Sequence, residues 1–121
     1  MLEARIRAGL EFAGRKLQLV EKPRYGRQFP IPGIGFIDLL AIDLTTNELV
    51  VIELKKDGHS DREVLGQTQT YMGWVQTNMA QPNQRVVGLI CVGQSSEKLR
   101  LAVAATQNVT LLEYGMSFRV S

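Results

Sequence analysis

This sequence predicts an α/β domain, a mixed central β-sheet flanked by helices on both faces. Three observations predict it. Gly35 to Lys56 reads GFIDLLAIDLTTNELVVIELKK, two apolar runs around a polar hinge, which is the pattern of a β-hairpin. Ser60 to about Ala80 repeats its apolar residues at helical spacing. Arg85 to Gly93 is a third strongly apolar run. A strand, a helix and a strand in succession form a crossover unit, so the third strand runs parallel to one hairpin strand. A hairpin joined to a crossover gives a mixed sheet.

The remaining elements follow in chain order. Leu2, Ile6, Leu10 and Ala13 recur at helical spacing and predict an amphipathic first helix that ends at Gly14. Leu17 to Val20 is a short apolar run, a first strand or an extended connector. Glu21 to Arg27 is a basic loop around Tyr25. Basic residues interleaved with an aromatic can hold a nucleic-acid backbone and stack a base. Gln28 to Pro32 carries two prolines and predicts an edge strand. After the hairpin, Ser60 and Glu63 form a capping box that opens the long helix. Val64, Thr68, Met72, Val75 and Met79 make its buried stripe, with Gln67, Tyr71 and Trp74 beside it. Ser95 or Ser96 caps a last helix from Glu97 to about Gln107. Asn108 to Tyr114 is a further strand, and Met116 to Val120 a terminal one.

Composition narrows the function. A chain of 121 residues is the size of one domain, spanning 1–121. No apolar run reaches the roughly 20 residues of a membrane helix, and the first residues do not read as a signal sequence. A cytoplasmic protein with no membrane partner is expected. Cys91 is the one cysteine, placed in an apolar run as a core residue. His59 is the one histidine, which excludes a His-rich zinc site and a paired-histidine phosphodiesterase. Residues 1–37 hold seven basic and three acidic side chains, against seven and nine in the remainder. The first third can therefore present a basic face to phosphates.

The hairpin carries the chemistry. If it is symmetric about the Thr45–Thr46 bond, Asp38 lies opposite Glu53, with Cβ atoms roughly 4.5–5.5 Å apart. A shift of one residue would put them on opposite faces. Glu53 and Lys55 share a face, and Leu54 points the other way. Phe36, Leu40 and Ile42 are expected to accompany Asp38, while Ile37, Leu39 and Ala41 lie behind. Both faces are otherwise apolar, so two carboxylates and an amine sit inside the sheet. Like charges there repel unless one binds a proton or both bind a cation. Lys55 compensates one of them. A divalent ion with oxygen ligands, Mg²⁺ or Mn²⁺, satisfies the rest. The competing reading is a partly buried salt bridge with no chemistry. Gln67 and Tyr71 share a helix face one turn apart, where they can hydrogen-bond Lys55 or a phosphate.

The order helix, strand, hairpin with D…ExK, helix with Q-x-x-x-Y, strand resembles the PD-(D/E)xK nuclease superfamily. Within it the chain is most similar to the C-terminal nuclease domain of NucS/EndoMS-type endonucleases. The stretches GFIDLLAID, LVVIELKK, LGQTQTYMGWV and NVTLLEYGMSFRV carry the likeness. It implies a restriction-endonuclease-like fold and Mg²⁺- or Mn²⁺-dependent hydrolysis of DNA, structure-selective and tied to repair or defence. It implies that Asp38, Glu53 and the backbone carbonyl of Leu54 bind the metal. Lys55 would assist attack, and Gln67 would position Lys55 or the phosphate. Glu3 resembles the first-helix acid of such sites, with Glu11 as its competitor. Arg24, Tyr25, Arg27, Lys56 and Tyr71 are the expected nucleic-acid contacts.

Ile37 stands where the superfamily's name has proline. The 121 residues hold no stretch that resembles the DNA-binding and dimerisation domain of full NucS-type proteins, so a stand-alone relative and a domain cut from a longer protein are both open, and mismatch specificity is not expected to carry over. A homodimer is the assembly to test. Two alternatives stay open: a non-catalytic nucleic-acid-binding module that keeps the nuclease fold, and an RNA-directed or nucleotide-activated effector nuclease.

Overall fold

In the computed structural model, which describes residues 11–12, 14–20, 26–55 and 60–113, one strand holds the sheet together. It is β4 (Gly35–Asp43), nine residues long and bonded along both edges. β5 (Leu49–Leu54) runs antiparallel along one edge, with Leu39 opposite Ile52 and Ile42 opposite Leu49. The other edge is divided. β3 (Arg27–Ile31) pairs with residues 35–39, and β2 (Arg15–Leu19) with residues 41–43. β1 (Glu11–Phe12) continues beside β2. β6 (Val86–Val92) lies parallel to β5, and β7 (Val109–Glu113) parallel to β6. The seven-stranded sheet is therefore mixed, as the hairpin and crossover predict.

The divided edge needs a tight handover between β2 and β3. Gly26 provides it, with φ of 75° and its Cα packed on the Leu40 carbonyl oxygen, where any Cβ would collide. That carbonyl also accepts the Val20 N–H at 3.1 Å. Only glycine meets both demands.

The β4–β5 register is set by its loop. Asp43 Oδ1 accepts the amides of Thr45 (2.8 Å) and Thr46 (3.1 Å), an Asx turn. Asn47 takes the left-handed conformation (φ 66°), and its N–H reaches the Asp43 carbonyl at 2.8 Å. Arg15 clamps the loop, donating to Asp43 Oδ2 at 2.9 Å and Glu48 Oε1 at 2.7 Å. Burial works to raise the Asp43 carboxyl, but the Thr46 and Thr45 amides and Arg15 outweigh it and hold it below its ordinary value. The hydrogen bond from Arg15 likewise holds Glu48 low. The pairing that results is symmetric about the Thr45–Thr46 bond, as expected.

Two helices pack on one face of the sheet. α1 (Asp61–Asn78) opens with the expected capping box of Ser60 and Glu63. Its Tyr71 and Val75 pack with Phe29, Leu40 and Val51. α2 (Glu97–Ala104), capped by Ser96, places Leu99 and Val103 with Val64 of α1 and with Ile90, Val92 and Val109. α1 comes close to β6 at Gly88, where a Cβ would meet Met72 Sδ at 2.7 Å and Thr68 Cγ2 at 2.8 Å. The alternate positions, among them Leu17, Leu39, Val50, Ile52, Leu89 and Cys91, form a separate buried cluster. No helix among the described residues is long and apolar enough to cross a membrane.

Three expectations are corrected. The first helix does not extend to Gly14: Glu11–Phe12 is a strand, and Gly14 (φ 75°) turns it back to pair with Arg15 and Lys16. The rest of that predicted helix lies outside the described residues, as does the predicted terminal strand. α2 stops at Ala104, where Thr106 Oγ1 bonds back to the Ala102 carbonyl at 2.8 Å and the chain turns through Asn108 (φ 64°). Finally, β4 does not alternate as a flat strand. Ile37 and Leu40 fall in the same cluster, and Leu39 in the opposite one. The alternation therefore slips by one residue at Asp38–Leu39. Gln28, across from Asp38 on β3, is itself irregular (φ 43°).

Candidate active site

The slip falls where the two acids meet. Asp38 is 8% exposed and Glu53 3%, so both carboxylates are buried in the sheet. Each is bound to the other's strand. Glu53 Oε2 accepts the backbone N–H of Asp38 at 2.9 Å, and Asp38 Oδ2 accepts that of Leu54 at 2.9 Å. Asp38 Oδ1 also accepts from Gln28 Nε2 at 3.3 Å. The ladder pairing of β4 with β5 ends at Leu39–Ile52, and beyond it side chains replace carbonyls as acceptors. Irregular pairing beside a functional group is a recurrent way of re-aiming a side chain. Burial pushes the Cys91 thiol up to about 12, and the Asp38 charge adds to that, so Cys91 is an inert core thiol as the sequence reading holds.

Lys55 continues β5 by one residue, and its N–H bonds the Cys91 carbonyl at 2.9 Å. Its ammonium turns to α1, where Nζ lies 3.6 Å from Asp61 Oδ1. The other Asp61 oxygen accepts the Ser96 hydroxyl at 2.7 Å, and Ser96 Oγ in turn caps α2 through the Leu99 amide. Asp61 thus joins Lys55 to the first turns of both helices. The sequence reading missed this residue. Its signal was an acid in the first helical turn after an E-x-K strand.

The other predicted residues divide. Tyr71 is buried, its hydroxyl placed over Gly35 at the start of β4. Gln67 is exposed, in a depression with Ile34, Arg62 and Tyr71. Among the described residues Lys55 pairs with Asp61 and not with Gln67. Of the two roles expected for Gln67, contact with Lys55 or with a phosphate, the first is not seen: the wheel puts Gln67 one turn from Tyr71, but the helix is rotated so that Tyr71 faces inward. Arg27 is exposed on β3, its Cα paired with Leu39 beside Asp38. Glu11 lies in β1, and its side chain is not described. Glu3, Arg24, Tyr25, Lys56 and His59 lie outside the described residues.

Among the described residues no group of three or more His, Cys, Asp or Glu side chains converges. The oxygens gathered here belong to the Asp38 and Glu53 carboxylates, the first held by the Leu54 N–H and the second by the Asp38 N–H. Buried, hard, all-oxygen donors of this kind suit Mg²⁺ or Mn²⁺ rather than zinc or copper.

No family model matches the chain, and no curated protein matches it. Among solved structures, it is similar to a repair endonuclease from Pyrococcus abyssi, with a TM-score of 0.59 and 19% identity. That match covers 74% of this chain and 36% of the endonuclease. It is also similar to the protein of an EndoMS complex with double-stranded DNA, with a TM-score of 0.56 and 19% identity over 72% of this chain and 34% of that one. The chain thus spans about a third of the length of the endonucleases it matches. What the chain shares with these two structures is the fold, a mixed, curled α/β sheet.

Proposed function

We propose that this chain is a metal-dependent DNA endonuclease domain that hydrolyses phosphodiester bonds. The observation that carries the reading is that Asp38 and Glu53, two buried carboxylates on adjoining strands, each accept a backbone N–H of the other's strand, with Lys55 two residues beyond Glu53. The fold shared with the two endonuclease structures supports it. Mismatched, branched or plain duplex substrates all fit this reading.

Asp38, Glu53 and the Leu54 carbonyl would hold Mg²⁺ or Mn²⁺. A bound ion of this kind lowers the pKa of a coordinated water and stabilises charge on the attacked phosphate. The chain's own groups do the rest. The hydrogen bonds from Leu54 and Gln28 fix the Asp38 carboxylate in one orientation. Lys55 supplies a positive charge beside the attacked phosphorus, and its tie to Asp61 limits where that charge can go. Arg27, with Arg24 and Lys56 from outside the described residues, would contact the backbone, which positions a duplex without reading its sequence.

The test is cleavage of labelled DNA and RNA, linear and branched, with Mg²⁺, Mn²⁺ or EDTA. DNA should be cut only with metal, and folded Asp38→Ala should be inactive. Metal-dependent cutting retained by Asp38→Ala overturns the assignment. Cutting of RNA alone would favour the effector-nuclease alternative, and binding with no cutting the non-catalytic one.

A further inference from the structure

A groove of about 820 Å³ opens beside Lys55, between the first turns of α1 and α2, with Arg62, Gly66, Gln69 and Lys98 along it. A second depression, of about 390 Å³, lies on the other flank of α1 and includes Gln67 and Tyr71. Arg62 and Gly66, one helical turn apart, line both. The two are therefore one surface that passes over the N-terminal half of α1.

Two features of that surface have no explanation in the fold. Arg62 and Lys98 are exposed, and among the described residues neither makes an ion pair, while Lys55 is tied to Asp61. Gly66 lies inside a helix, where glycine is less favourable than alanine. Nothing lies within 4 Å of where its Cβ would be, so packing does not require it. A bare backbone is useful where another chain must approach closely.

We propose that the sugar–phosphate backbone of DNA crosses α1 at Gly66, with Arg62 and Lys98 neutralising phosphates of the strand that runs into the Lys55 site. This rests on the nuclease reading for the identity of the ligand. It places backbone contacts on α1 and α2, apart from the Arg24–Arg27 segment singled out by the sequence. Gly73 is a built-in control: it too is an exposed helical glycine with open space over its Cα, but it lines neither depression.

The test is fluorescence anisotropy with a labelled DNA duplex in EDTA, at several salt concentrations. Each lost phosphate contact lowers the slope of log affinity against log salt by about 0.9. The Arg62→Gln/Lys98→Gln variant should lose about 1.8 of that slope. Between about 50 and about 200 mM salt, wild-type affinity should then fall about 12-fold more than the variant's. Gly66→Glu should weaken binding about tenfold and Gly73→Glu by less than about twofold, with both folded by circular dichroism.

An unchanged slope, or equal effects of the two glycine variants, overturns the groove and leaves the nuclease reading standing. A wild-type chain that binds no DNA overturns both. A slope change in a chain that never cuts supports the groove and counts against catalysis.

Discussion

Replacing Asp43 with alanine tests whether the hairpin loop holds the register on which the site depends. The carboxylate is 2% exposed and accepts three hydrogen bonds: Thr45 N (2.8 Å), Thr46 N (3.1 Å) and Arg15 Nη1 (2.9 Å). Hydrogen bonds to a charged group contribute about 1.5–3 kcal/mol each. The full sum does not apply, because Thr45 and Thr46 are exposed, so their amides can turn to water, and Arg15 keeps Glu48. A loss of about 2–4 kcal/mol at neutral pH is expected for Asp43→Ala.

Urea denaturation reads this as a midpoint lowered by roughly 1–2 M with an unchanged slope. The effect must also depend on pH. Asp43 and Glu48 are held below their ordinary values of 3.8 and 4.5, so the stability they give is complete above those values. It is lost as pH falls through the lower folded-state values. The variant lacks the Asp43 share, so the gap between the two proteins should close below about pH 3.8. A gap under about 1 kcal/mol at neutral pH, or one that persists undiminished in strong acid, would refute the reasoning.

Two further predictions concern groups around the site. Asp61→Asn should change stability by less than about 1 kcal/mol, because both members of the Lys55 pair are partly exposed. It should nonetheless slow cleavage about tenfold and shift its pH profile, with Asp61→Glu restoring both; an unchanged rate and profile would show that Asp61 does not position Lys55. Gly35→Ala should cost about 1–3 kcal/mol, because its Cβ would stand 2.6 Å from the Tyr71 hydroxyl. In a Tyr71→Phe background the cost should shrink, and strict additivity in thermal melts would exclude that contact as its cause.

What was legible in the sequence was what neighbouring residues decide. The Ser60–Glu63 capping box fixed the start of α1, since both its bonds are local. The hairpin register followed from a short hinge taken as symmetric about the Thr45–Thr46 bond, which the Asx turn at Asp43 and left-handed Asn47 then hold in place. Features decided by distant residues were not legible. The sharing of one β4 edge by β2 and β3 depends on Gly26 meeting Leu40, which no periodicity records. The repeat from Leu2 to Ala13 suggested a helix, yet Glu11–Phe12 joins a ladder. Lys55 was assigned to the two acids because they share a hairpin, whereas its ammonium faces Asp61 across a loop. Helical spacing placed Gln67 near Tyr71 but could not give the rotation that turns Tyr71 inward.

Calorimetric titration of Mn²⁺ into the wild type, Asp38→Asn, Glu53→Gln and Lys55→Ala probes the convergence of the two acids most directly. The wild type and Lys55→Ala should both bind the ion, and each carboxylate variant should lose binding while keeping its fold. Binding by Asp38→Asn or Glu53→Gln at wild-type strength would mean that the two carboxylates do not share an ion.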